Sequence, residues 1–264
     1  MRRSRVLEKL RAGKAVRMCN LGHFMPAFIK HAAHAGYDVI WLDLEHRAMQ
    51  VREVQALLAY FHLYDIDCML RAPTLERTGL YRYLEDGATG LMIPLVANEA
   101  EAKALAAATK FPPIGNRGLD GAGIDNDFYL GDSSSYTELA NRETFLVLQI
   151  ETLEAMAEVD KIAAVPGVDG LFLGPADMGL RLRVGGKAPY DLDGAIDRVA
   201  AAAAKHGKAW GMPAGTPEQY RNLHARGARL LNYGGEFSAM MEMFQRCKRG
   251  SECDSGARVA DSNE

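Results

Sequence analysis

The segment 145–177 constrains the fold more than any other stretch of the chain. It holds two short apolar runs, Phe-Leu-Val-Leu-Gln-Ile-Glu-Thr (145–152) and Val-Asp-Gly-Leu-Phe-Leu-Gly-Pro-Ala-Asp (168–177), with a helix-like segment over 153–164 between them. Short runs rich in Leu, Val, Ile and Phe, bounded by polar or Gly/Pro residues, read as buried parallel strands. Parallel strands joined by a helix open their C-terminal ends on one face, so Glu151 and Asp177 are expected close together there. Two carboxylates held together above a buried sheet repel one another, which favours a divalent cation between them.

The same rhythm runs through the chain. Strands are expected over 15–22, 39–46, 67–73, 89–96, 208–214 and 229–235 in addition to the first two, each followed by a helical segment. Gly36, Gly87 and Gly207 mark helix ends, and Asn98 and Thr216 mark helix starts. Eight strands alternating with eight helices in 264 residues predict one (β/α)8 TIM barrel over 1–249, followed by a polar tail, 250–264, expected to be disordered. An open doubly wound sheet is the rival, but Gly118, Gly121 and Gly123 do not follow a strand as a dinucleotide-binding turn requires. The Gly-, Pro-, Asp- and Ser-rich stretch 111–144 lacks periodicity, and a loop of that length is expected to be a lid or binding loop.

Composition narrows the function classes. A net charge of −3 gives no basic stripe for nucleic acid and no polybasic membrane anchor, and the arginines at the start precede no long apolar run. A cytoplasmic protein with free thiols is expected, since Cys19, Cys68, Cys247 and Cys253 form neither a metal-type pair nor a disulfide ladder.

In a barrel, ionisable residues at C-terminal strand ends line the one face used for chemistry. Those ends carry Asp43 and His46, Arg71, Glu151 and Asp177. Each has a structural alternative: Asp43 and His46 as a hydrogen-bonded pair, Arg71 as a salt-bridge partner, Glu151 or Asp177 as helix caps. Taken together, five ionisable groups at the ends of apolar strands are costly to bury without a chemical use.

The chain resembles the HpcH/HpaI aldolases, the class II, metal-dependent pyruvate aldolases, through an ordered set of pieces. These are Trp-Leu-Asp-Leu-Glu-His (41–46), Leu-Arg-Ala-Pro (70–73), Gly-Leu-Met-Ile-Pro-Leu-Val (90–96), Lys-Phe-Pro-Pro-Ile-Gly-Asn-Arg-Gly (110–118), Gln-Ile-Glu-Thr (149–152) and Gly-Leu-Phe-Leu-Gly-Pro-Ala-Asp (170–177). The resemblance implies a metal, Mg²⁺ or Mn²⁺ with Co²⁺ or Zn²⁺ as alternatives, held by Glu151 and Asp177. It implies catalysis by His46 and Arg71, with Asp43 orienting His46, and substrate contacts from Arg71, Gln149, Phe172, Gly174, Pro175, Ala176 and Asp177. The implied reaction is reversible cleavage of a 4-hydroxy-2-oxo acid to pyruvate and an aldehyde through a stabilised enolate, with a small-molecule substrate and no nucleic-acid or membrane partner. A homo-oligomer is also implied, a hexamer arranged as a trimer of dimers, with the last helix exchanged between subunits. Citrate-lyase-like or malyl-CoA-type cleavage on the same barrel, and a barrel that binds 2-oxo acids without turnover, are the competing readings.

The chain departs from the family pattern at several places. Met178-Gly179, Arg181-Leu-Arg183 and Gly185-Gly-Lys187 follow the metal-binding Asp, and the loop 119–127 is acidic. Glu85 stands where the family often has Asp and is expected to reach His46. The departures spare the enolate machinery and bear on the acceptor aldehyde, with the role of the loops 119–127 and 178–190 left open. His23, just after the first strand, is a further candidate for substrate contact, whereas His31 and His34 read as a solvated helix face.

Overall fold

The computed structural model describes residues 1–130, 134–184 and 189–251, so the expected tail from 252 onward and the Gly185-Gly-Lys187 cluster lie outside the described residues, while Gly250 and Ser251 extend the last helix. Eight strands, β1 (Val16–Leu21), β2 (Val39–Asp43), β3 (Asp67–Arg71), β4 (Gly90–Ile93), β5 (Phe145–Ile150), β6 (Gly170–Leu173), β7 (Ala209–Pro213) and β8 (Leu230–Gly235), close into a barrel in sequence order. Every pairing is parallel, and β8 closes on β1. The (β/α)8 expectation is therefore borne out.

Alternation along the strands builds two layers of core. Met18, Trp41, Met69, Met92, Val147, Phe172 and Leu230 point into the barrel, while Leu42, Leu70, Leu91, Leu148 and Leu171 point out against the helices. The same period of two carries polar groups to the mouth. Trp41 and Asp43 lie on one side of β2 with Glu45 two residues beyond, as Val147 and Gln149 do on β5 with Glu151 just past its end. Helix starts follow their side chains: Asn98 accepts from the Glu101 amide and Thr216 from the Gln219 amide. Gly36 and Gly87 end helices at φ of +79° and +108°, a conformation costly for any other residue.

The N-terminal ends of the strands are closed by the helix Arg5–Arg11, whose Val6 and Leu7 join the inner core. Asp67, fully buried at the start of β3, anchors it by accepting from the Ser4 hydroxyl (2.7 Å), the Val6 amide (2.9 Å) and Arg2 Nη2 (2.7 Å). The irregular stretch after the helix Glu99–Thr109 packs at this same closed end. Lys110 Nζ bonds the Thr144 carbonyl and Asp169, which immediately precede β5 and β6, and Arg117 pairs with Asp125. A 3-10 segment, Ile124–Tyr129, sits beside Gly87, and Gly123 lies against the Glu85 carbonyl.

This placement bears on the loop 119–127 and on Glu85. The loop 119–127 does not line the mouth of its own barrel, and Glu85, the last residue of the helix Arg77–Glu85, does not reach His46 within the chain. The reason is topological: residues between a helix and the next strand lie where strands begin, and the open mouth lies where they end.

Candidate active site

The mouth brings together Asp43, Glu45 and His46 from β2 and its loop, Arg71 from β3, Gln149 and Glu151 from β5, and Asp177 from the helix Pro175–Val184. Arg71 is its centre. It is buried, its guanidinium carbon lies 4.6 Å from the centroid of Trp41, and that ring packs edge-on against Phe172. Phe172 is fully buried beneath the site. Asp43 grips Arg71 with both oxygens, taking Nε at 3.0 Å and Nη2 at 2.8 Å. Burial alone would raise the Asp43 carboxyl, but the hydrogen bonds and charge of Arg71 hold it below the usual range.

Asp43 is therefore occupied differently from the expectation. It accepts the backbone amides of Glu45 and His46 as well as the guanidinium, and makes no bond to the His46 ring. The group beside that ring is Glu45, whose Oε2 is 3.6 Å from His46 Nε2 and 2.9 Å from Arg71 Nη1. Oε2 lies off the N–H direction and so has a charge partner without a hydrogen bond. Glu45 is the residue the sequence reading passes over. Its signal is the spacing of two from Asp43, which turns both acids to one face of an extended chain.

Glu151 is buried deeply, with Oε1 accepting the Leu95 amide at 2.8 Å and Oε2 accepting Gln149 Nε2 at 2.6 Å. Burial pushes its carboxyl above the ordinary value, and the nearby charges of Asp177 and Glu45 add to the rise. Gly174 permits this packing, since a Cβ there would collide with the Glu151 carboxylate. The Gly174 amide is committed to the Ile150 carbonyl and Pro175 has none, so free donors for a bound anion begin at Ala176 and Asp177, in the first turn of the helix. Asp177 is half-exposed and pairs with Arg181 at 2.7 Å.

Among the described residues, no three His, Cys, Asp or Glu side chains converge as a metal cage. The donor set instead suits a hard divalent cation held by two carboxylates, with remaining positions for oxygens of water and substrate. Repulsion around Glu151 and the buried Gln149 Oε1, which accepts no hydrogen bond, fit such a cation and an oxygen-rich ligand.

The barrel and this strand-end set define an enzyme of the aldolase type, and comparison with known proteins gives the family. The HpcH/HpaI aldolase/citrate lyase model matches residues 17–241, and the chain belongs to that family. It is 36% identical to a pyruvate aldolase of Rhizobium etli over 92% of this chain and 93% of the relative. It is 31% identical to a hydroxypyruvate/pyruvate aldolase of Pseudomonas aeruginosa over 96% of each. The crystal structure of an HpcH/HpaI aldolase from Desulfitobacterium hafniense superposes with a TM-score of 0.84 at 28% identity, covering 97% of this chain and 98% of that one.

Elsewhere, Cys19 and Cys68 are buried free thiols, and burial lifts Cys19 to about 12, where it is inert as a nucleophile. No helix among the described residues is long and apolar enough to cross a membrane.

Proposed function

We propose that the protein is a metal-dependent pyruvate aldolase that reversibly cleaves a 4-hydroxy-2-oxo acid into pyruvate and an aldehyde. The observation that carries this reading is the fixed guanidinium of Arg71 facing the acidic pair Glu151 and Asp177 on one barrel mouth. Glu151 and Asp177 hold the cation, Mg²⁺ or Mn²⁺ before Co²⁺ or Zn²⁺ because the ligands are all oxygen. When bound, the cation supplies Lewis-acid polarisation of the keto group.

The chain's own residues do the rest. A guanidinium has five N–H donors, and Asp43 takes two, which leaves Nη donors for the oxygen on which enolate charge develops. The stack on Trp41 keeps the fork in place. His46 removes the proton of the 4-hydroxyl in cleavage and of the pyruvate methyl in synthesis, with Glu45 rather than Asp43 beside its ring. The amides of Ala176 and Asp177 receive the substrate carboxylate, while Gln149 holds Glu151 in position and Phe172 supports the floor. A pyruvate-release assay on a panel of 4-hydroxy-2-oxo acids tests the reading. Release abolished by EDTA and restored by Mg²⁺ or Mn²⁺ supports it, and no release from any member overturns it.

The same reading includes a homohexamer, a trimer of dimers, with exchange of the helix Glu236–Ser251. Glu236 is that helix's one buried residue, and Phe237, Met241, Met243 and Phe244 are exposed along it. A groove of about 680 Å³ lined in part by Cys19, Phe28, Ala32, Tyr37 and Tyr233 borders β1 and β8. That is apolar surface of the kind a neighbour's helix covers.

A further inference from the structure

One pair of side chains on the open mouth has no part in the chemistry above. His23 stands two residues past the end of β1, and Glu236 follows β8, the strand that neighbours β1. Glu236 is 1% exposed, yet it carries a carboxylate. Its Oε1 accepts the Gly22 amide at 2.9 Å and meets His23 Nδ1 at 2.8 Å, and its Oε2 is buried with no partner. Gly22 makes this approach possible, since a Cβ there would press on both Arg47 and Glu236. The His23 ring stands edge-on to Phe237 at 5.4 Å, and Arg47 covers the same phenyl ring. The imidazole is thus held on two sides, while about half of its side-chain surface stays open at the mouth.

The hydrogen-bond chemistry fixes its polarity. A carboxylate only accepts, so Nδ1 must be the N–H that donates to Glu236 Oε1, and the neutral ring then presents the Nε2 lone pair outward. A buried carboxylate is expensive to keep unless the group it orients is used. Position says what the ring meets. Around the mouth the order is Glu236 and His23 at β8 and β1, His46 at β2, Arg71 at β3, then Glu151 and Asp177 at β5 and β6. On the aldolase reading pyruvate belongs in the sector from Arg71 to Asp177, which leaves the His46 and His23 side of the mouth for the aldehyde half. Arg47, next to His46, reaches over Gly22, so the two loops are in contact there.

We propose that His23, positioned by Glu236, is a specificity-determining residue that accepts a hydrogen bond from a hydroxyl group of the aldehyde substrate, selecting hydroxyaldehydes over their deoxy analogues. Glu236 is a positioning residue acting through His23. The proposal rests on the aldolase reading and assigns its acceptor class.

The test compares aldol addition of pyruvate to glyceraldehyde and to propanal, with metal present, alongside deuterium exchange of the pyruvate methyl group in D2O without any aldehyde. In the wild type, kcat/KM is expected to favour glyceraldehyde. In His23→Phe, which keeps a ring against Phe237, the preference falls roughly tenfold to a hundredfold through KM for glyceraldehyde, while propanal and pyruvate exchange hold at wild-type rates. Glu236→Gln moves the preference in the same direction by a smaller factor, and His23→Gln, which retains an acceptor oxygen, recovers part of it. An equal loss for both aldehydes, or an unchanged preference in His23→Phe, overturns the proposal. Wild-type protein that neither exchanges pyruvate nor adds it to either aldehyde overturns the aldolase reading and the assignment with it, whereas exchange without preference overturns the assignment alone.

Discussion

The two ends of the barrel treat buried charge in opposite ways. At the closed end these acids all lie against cations: Asp67 and Asp65 share Arg2, with Arg5 also on Asp65, while Asp38 has Lys9, Asp125 has Arg117 and Asp169 has Lys110. At the open end one buried cation, Arg71, serves both Asp43 and Glu45, while Glu151 is held by two neutral donors beside two further acids. Pairing at the closed end stabilises the fold. On the proposed reading, crowding of like charge at the open end costs stability and serves a cation and a substrate anion, since the same geometry with well-packed neutral residues would be easier to fold.

The comparison breaks first at Asp67. Asp67→Ala leaves Arg2 and the Ser4 turn without their acceptor and is expected to cost about 3–5 kcal/mol of stability, read by denaturant unfolding, with kcat unchanged in the protein that remains folded. Arg71→Lys keeps the charge but loses the two-pronged grip of Asp43 and the stack on Trp41. It should lower kcat/KM by about 3 kcal/mol, roughly a hundredfold or more, with circular dichroism unchanged. Near-normal turnover in that variant would remove Arg71 from its role. Arg181→Ala breaks only a half-exposed pair one helical turn from Asp177, so its stability change should stay within about 0.5 kcal/mol.

The pH dependence sharpens the contrast. Because the folded Glu151 carboxyl titrates above its ordinary value, the folded state holds a proton that the unfolded chain has released. In EDTA, that component of stability is present below the ordinary carboxylate value and is lost as pH rises through the raised one. Paired acids such as Asp43 contribute with the opposite sign. Subtracting the profile of Glu151→Gln from that of the wild type isolates the Glu151 component, which should fall with rising pH.

Much of the scaffold was legible in sequence because parallel strands buried on both faces are written as apolar runs, and Asp43, Arg71 and Glu151 close those runs. What the residues at strand ends do to one another was less legible. Asp43 and Glu45 both turn inward, and only packing decides that Asp43 takes the guanidinium while Glu45 sits beside His46. The end of the barrel at which 111–144 and Glu85 sit follows from the order of elements: Glu85 ends the helix before β4, and 111–144 lies between the helix Glu99–Thr109 and β5. The His23–Glu236 contact joins residues 213 positions apart and depends on β8 closing against β1, which no local pattern encodes.

The central claim, that charge at the open end is kept for binding at the expense of stability, is tested most directly in Glu151→Gln by measuring Tm in EDTA together with Mn²⁺ binding followed by electron paramagnetic resonance. The account predicts a Tm equal to or above that of the wild type and loss of Mn²⁺ binding. A Tm several degrees lower with Mn²⁺ binding intact would contradict it.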